Sequence, residues 1–266
     1  MKNHIEIVLE EKIKSNLPEE LHNFIDMVFK DEEIRYIQEY ANVVSIKRLG
    51  YNDHGPVHMR QVAANACKIA SILYDSGIKF NLEKEEIGSY QDSMLAIFLA
   101  AFLHDAGMTV GREYHEKMSL TITYPIIDRL LKGFYKNDLN RLVIVRSMVL
   151  EGIAGHMANQ KIHSIEAGII LVADGCDMQK GRARIPMMLN FESRVGDIHK
   201  NSSAAIEKVK ISKGEIKPVR INIEMSESVG FFQVEEVLLG KISVSPIKSH
   251  VEVYAGVNGK DIKKYL

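Results

Sequence analysis

Apolar residues recur every three to four positions through most of the chain and every second position near its end. Over residues 19–41, Leu21, Phe24, Ile25, Val28, Phe29, Ile34, Ile37 and Tyr40 follow a helical period. From Pro56, Val57, Val62, Ala66, Ile69, Ala70 and Leu73 form one stripe, and Gly77 marks the stop. DSMLAIFLAAFLHDAG is apolar nearly all round, which predicts a central buried helix. TYPIIDRLLKGFY and DLNRLVIVRSMVLEGIAGHM predict two more helices, and the small residues of HSIEAGIILVADGCDM predict a closely packed one. After about residue 200, IEKVKISKG, KPVRINIEMSES and SHVEVYAGV alternate apolar with polar residues, the signature of half-buried strands. GFFQVEEVLLGKI, between the last two of these, predicts one short helix, its two phenylalanines in the core. The expected fold is mainly α with a small C-terminal α+β unit of order β-β-α-β. N-terminal helices (1–44) pack on a helical body (45–198), and residues 199–266 form the small domain.

The bulk composition narrows the function classes. Lys and Arg total 34 against 35 Asp and Glu, so no global field favours nucleic acid or an anionic membrane, and any phosphate recognition must be local. No apolar run approaches the ~20 residues that span a bilayer. The charged start, MKNHIEIVLEEKIKSNLPEEL, lacks the apolar core of a signal peptide. Cys67 and Cys176 are far apart and outside any CxxC, so neither a disulfide framework nor a zinc–thiolate site is expected, and a reducing cytoplasm fits.

Candidate chemistry gathers where apolar helices meet small or polar residues. YNDHGPVH holds His54 and His58, LHDAG holds His104 and Asp105, REYHEKMS holds His115, GIAGHM holds His156, and VADGCDM holds Asp174 and Asp177. Each histidine taken alone is more often a hydrogen-bonded core or surface residue than a ligand. Together, imidazole nitrogen and carboxylate oxygen suit Mn, Fe or Zn, with Mg at an oxygen-rich side. Such ions lower the pKa of a bound water and polarise a phosphoryl oxygen.

The order of HGPVHMRQVA, FLHDAGM and VADGCDM resembles the HD superfamily of metal-dependent phosphohydrolases. His115 and His156 fall where members with dinuclear sites carry two further histidines, such as bacterial diadenosine-tetraphosphate hydrolases and HD-GYP cyclic-dinucleotide phosphodiesterases. The whole chain is most similar to an archaeal group of predicted HD hydrolases. The resemblance covers roughly residues 45–190 and implies an HD-domain helical bundle. It also implies two divalent ions, Mn, Fe or Mg, with Zn, Ni and Co as further candidates. By it, His58, His104, Asp105 and Asp174 hold one ion, and Asp105 bridges to a second held by His115 and His156. A water between them attacks phosphorus in line, cleaving a phosphate ester or anhydride of a small phosphorylated substrate, a nucleotide or dinucleotide. Asp105 is thereby catalytic as well as a ligand. His54 either contacts the substrate as a second catalytic candidate or is structural beside Gly55-Pro56.

Two departures stand out: Gln61 replaces the family's usual arginine, and Met108 replaces the lysine of HDxGK, removing a cation that would face phosphate. The GYP segment is missing, against a specialised cyclic-di-GMP enzyme. Lys180, Arg182 and Arg184 in QKGRARIP surround a glycine and suit phosphate oxygens, as does Arg112, although a solvated loop explains the cluster too. Asp177, one helical turn from Asp174, either supports a ligand or is solvated, and the solvated reading is preferred. Two other functions compete: a non-catalytic nucleotide-binding regulatory protein on the HD scaffold, and a di-iron oxygenase of that scaffold. Strand edges in the tail invite a second copy, giving a homodimer, or a regulator.

Overall fold

A computed structural model describes residues 3–179, 198–258 and 262–266. The chain is mainly helical, with a small C-terminal sheet of four strands. The helices are α1 (His4–Lys14), α2 (His22–Phe29), α3 (Glu32–Asn42), α4 (Pro56–Asp75), α5 (Asn81–Lys84), α6 (Tyr90–Leu103), α7 (His115–Tyr135), α8 (Leu139–Gly155), α9 (Ile165–Gly175), α10 (Ile198–Ala205) and α11 (Leu239–Val244).

The apolar run at 92–103 makes α6 the axis of the body: every residue from Asp92 to Leu103 is buried. Its start is fixed by a reciprocal cap, with the Ser89 hydroxyl and the Asp92 carboxylate each satisfying the other's backbone N–H. Asp92 also accepts from the Tyr135 hydroxyl at 2.5 Å and from Arg141 Nε at 2.7 Å, tying the α7–α8 hairpin to the same point.

Helix α4 runs as its stripe predicts, from Pro56 to Asp75, and Gly77 follows its cap with a φ of +82° that suits a residue without a Cβ. Its Arg60, 3% exposed, is held by Glu10 Oε1 and Gln38 Oε1, both at 2.9 Å, and anchors the N-terminal helices.

The single helical period over 19–41 resolves into two helices. Asp31 accepts the N–H of Ile34 at 3.1 Å, starting a new helix, and its carboxylate also takes Arg129 at 2.8 Å.

Strands β1 (Ile206–Lys213), β2 (Val219–Met225), β3 (Val251–Val257) and β4 (Lys263–Lys264) lie side by side in sequence order. β1 and β2 are antiparallel, β2 and β3 parallel, and β3 and β4 antiparallel. The parallel pair needs a crossover, and the predicted short helix supplies it in pieces: a tight turn at 228–230, a wide turn at 233–238, then α11. β4 is too short to show any alternation in the sequence. One apolar core, from Leu9 and Ile13 through α6 to Val253 and Ala255, runs without interruption from the N-terminal helices into the sheet.

The crossover docks on α9. A Cβ on Gly168 would lie 2.8 Å from Ser245 Oγ and 3.0 Å from Pro246, and one on Gly175 would lie 3.3 Å from Lys241 Cδ. These two glycines, two turns apart, let the crossover press against the helix.

Candidate metal centre

Five helix ends converge on one point. His58 lies in the first turn of α4, His104 directly follows α6, His115 opens α7, His156 follows α8, and Asp174 closes α9. Three of the rings are turned the same way. Nδ1 of His104 lies 2.8 Å from the carbonyl of Ala101, that of His115 2.9 Å from Arg112, and that of His156 2.7 Å from Ile153. In each case the carbonyl is three residues back, and at α6 and α8 it is one that the helix end leaves without a partner.

A carbonyl can only accept, so Nδ1 carries a proton, and in the neutral ring Nε2 presents a lone pair. His58 reaches the same state through a carboxylate, its Nδ1 lying 2.6 Å from Asp177 Oδ2.

Those Nε2 atoms face one another in pairs, His58 with His104 at 3.2 Å and His115 with His156 at 3.1 Å. Two neutral rings so oriented set bare lone pairs against each other, so each pair has a place for a cation, a proton or a metal ion, between its members.

Asp105 sits between the pairs. Its Oδ2 lies 3.1 Å from His58 and 3.4 Å from His104, while Oδ1 lies 3.2 Å from His115 and 3.4 Å from His156. Asp174 Oδ1 joins the first pair at 3.5 and 3.8 Å. Ligand atoms ~2.1 Å from one ion and about 90–110° apart stand roughly 3.0–3.4 Å from each other. Donor chemistry and spacing therefore fit two ions sharing Asp105, one with His58 and His104 and the other with His115 and His156, while Asp174 stands slightly farther out beside the first pair.

The electrostatics suit the same occupants. Burial raises the carboxyl pKa of Asp105, but in the metal-free chain the positive charge that His104 can take up and hydrogen bonds from His104, His115 and His156 outweigh it and hold the group well below the usual range, the stabilisation a bound cation would equally supply. Burial likewise opposes ionisation of Asp174, and the ammonium of Lys241, with His104, His58 and His156, more than reverses it. Burial pushes His156 down to about 4 against the pull of Asp105, so its imidazole is neutral near pH 7.

That last shift carries a sign. The metal-free folded chain takes up fewer protons at His156 than the unfolded chain does between about pH 6.5 and 4. Stability is therefore lost as pH falls through that window, on the order of 3 kcal/mol for this one group. The urea midpoint in the presence of chelator is expected to drop steadily across it, and a flat midpoint would contradict the neutral assignment.

Backbone packing sets the spacing between the two halves. The turn after Asp105 (Ala106–Thr109) lies so close to the first turn of α7 that a Cβ on Gly107 would stand 2.0 Å from the carbonyl oxygen of His115. Ser119 stitches the two together, donating to the carbonyl of His104 at 2.6 Å and accepting from the N–H of Gly107 at 2.8 Å. Tyr114, at φ +53°, turns the chain into α7 in the left-handed region, a conformation that costs a residue with a Cβ about 1 kcal/mol or more.

The sequence-derived candidates divide as follows. His58, His104, Asp105, His115, His156 and Asp174 come together. His54 lies beside them on the wall of the adjoining cavity, its ring 5.6 Å from that of His58 and its Nδ1 2.7 Å from the carbonyl of Asn52. Arg112 lines the same cavity. Lys180, Arg182 and Arg184 lie outside the described residues.

Asp177 corrects the expectation of a solvated side chain: it is buried and bonded to His58, because the chain turns back toward the centre just beyond α9. Asp177→Asn is expected to weaken the first ion's binding ~10- to 100-fold while sparing the second, measured by calorimetric titration. Met108 packs with Ala41 and Met59 in a small apolar cluster. Gln61 lies away from the centre and bonds Asn65 at 2.9 Å.

Lys241, on α11, was not among the candidates. It donates to Asp174 Oδ2 and, at 2.9 Å, to the carbonyl of His156. Nothing in the local sequence LLGKI marks it, since its contacts cross 67 and 85 positions of chain.

No helix among the described residues is long and apolar enough to cross a membrane. No protein-family model and no solved structure matches the chain. Over 232 residues, 87% of this chain and 87% of its counterpart, it is 40% identical to the "Uncharacterized protein MJ1020" of the archaeon Methanocaldococcus jannaschii. The centre is therefore a feature of a chain that belongs to the family of that archaeal protein.

Proposed function

We propose that the chain is a metal-dependent hydrolase of phosphate esters or anhydrides whose substrate is a nucleotide or dinucleotide. The observation that carries this reading is Asp105, a buried carboxylate whose two oxygens each face a separate pair of imidazole nitrogens. Two divalent ions in such a site, Mn or Fe by the donor set, supply a nucleophilic water and charge compensation for an in-line displacement.

The chain's own residues do the rest. Carbonyls and Asp177 fix the imidazole tautomers, so the ligand set is formed before anything binds. The five helix ends shut bulk solvent out from below, with His104 and His156 both 0% exposed. Above, the centre opens through Asp105 and Asp174 into a cavity of about 540 Å³, a size that takes a nucleotide-scale ligand. Arg112 stands on its wall and offers a planar guanidinium to phosphate oxygens. The order of HGPVHMRQVA, FLHDAGM and VADGCDM, which resembles the HD phosphohydrolases, supports the same chemistry.

The test begins with elemental analysis of protein purified without chelator, beside His115→Ala. About two equivalents of metal are expected to fall toward one in the variant. Phosphate release from p-nitrophenyl phosphate, nucleotides and dinucleotides, with Mn, Fe and Mg in turn, follows. A chain that stays metal-free after reconstitution, or releases phosphate from none of them, would sink the proposal.

A further inference from the structure

We infer that Lys241 forms an anion subsite at the metal centre, so that the C-terminal unit supplies part of the pocket that holds the substrate's phosphate. The inference rests on the phosphohydrolase reading for the identity of the anion as a substrate group.

An ammonium has three N–H donors. Two of those on Lys241 are committed, one to Asp174 Oδ2 and one to the carbonyl of His156. These two bonds fix the otherwise mobile head group, whose side chain is only 12% exposed. The third N–H has no acceptor among the described residues, and Lys241 lines the cavity together with Asp105 and Asp174. An anion bound against Asp105 and Asp174 therefore meets a held positive charge on the side that α11 covers.

Arg112 lines this cavity as well and has no ion pair among the described residues. The cavity thus holds two cations from distant parts of the chain, one on the loop before α7 and one on α11, beside the carboxylates of Asp105, Asp174, Asp177 and Glu236, which ions bound at the centre would offset. A tetrahedral, multiply charged oxyanion fits between them better than a carboxylate or a neutral ligand, because it offers oxygens in more than one direction. Gln233 and the rim residue Glu236 extend the same wall, so the crossover between β2 and β3 is a face of the pocket.

The probe is inorganic phosphate, titrated calorimetrically into the Mn-loaded full chain, with Lys241→Gln and Lys241→Arg alongside. Glutamine keeps a donor toward Asp174 and the His156 carbonyl but loses the charge; arginine keeps the charge. Phosphate affinity is expected to fall about 10- to 100-fold in the glutamine variant, with bound Mn unchanged, and to recover in the arginine variant. Phosphate affinity within about twofold of the parent in Lys241→Gln would overturn the subsite. So would loss of Mn from that variant, which would make Lys241 a support for Asp174 alone, and so would a parent chain that binds no phosphate.

The two proposals fail separately. Lys241-dependent phosphate binding in a chain that hydrolyses no ester defeats the enzyme reading and leaves the subsite. Hydrolysis combined with Lys241-independent phosphate binding does the reverse.

Discussion

Asp105→Asn is expected to take the metal content from about two equivalents per chain to almost none, with the helical signal retained. The reason is the division of labour between its oxygens. Oδ2 serves His58 and His104 while Oδ1 serves His115 and His156, so one substitution removes a ligand from both halves. An amide is neutral, and its nitrogen would offer N–H groups to the lone pairs of one imidazole pair, filling the place of a cation instead of binding one.

The fold should survive the exchange because asparagine keeps the volume and occupies a turn that other residues hold. Elemental analysis, circular dichroism and phosphate release on the same sample read all three consequences. Retention of both ions would refute the bridging role. Asp174→Asn is the natural comparison: it touches the first pair alone, so about one equivalent should remain.

Gly107→Ala tests the centre through the backbone. The added methyl would stand 2.0 Å from the carbonyl oxygen of His115 and 2.6 Å from the N–H nitrogen of Ser119. Neither neighbour is the far end of a flexible side chain; both belong to the first turns of α7. Relief requires the Ala106–Thr109 turn and α7 to separate, breaking the Ser119 bonds and carrying His115 away from Asp105. The cost is expected near the top of the range for overpacked cores, about 3 kcal/mol, lowering Tm by ~6–12 °C. Thermal unfolding checks the first part. Metal analysis checks the second, since the ion held by His115 should be lost before the one held by His58. An unchanged Tm would show that the turn yields more readily than this packing implies.

Much of this centre was legible in the sequence because its ligands lie at helix ends, and helix ends are where periodic apolar patterns stop. His104-Asp105 closes an all-apolar run, and Asp174 closes the small-residue helix, so both stood out. The strands were legible for a related reason: β1 and β2 are long enough to show their two-residue period, whereas β3, expected half-buried, lies inside the sheet with both faces covered and even Glu252 buried. What stayed hidden depends on how the chain returns to itself. Asp177 looks like any polar residue after a helix until the fold brings it to His58, 119 positions away in the sequence. Lys241 is an ordinary lysine in a short helix until the crossover settles on α9. The break at Asp31 was invisible to periodicity because α2 and α3 keep similar faces on either side of it, and only the cap betrays the new start.

The rings locked three residues back onto their own carbonyls have one more consequence. With His104, His115 and His156 each held by the carbonyl three residues back, the frame offers little ring rotation with which to choose an ion. Selection then rests on donor type and on intrinsic binding strength, which for such nitrogen and oxygen donors rises from Mn to Cu and falls at Zn. If ions occupy the centre, availability then weighs with intrinsic strength, and the chain made under manganese-rich or iron-rich growth is expected to carry different ions in an unchanged frame, which elemental analysis of the two preparations checks.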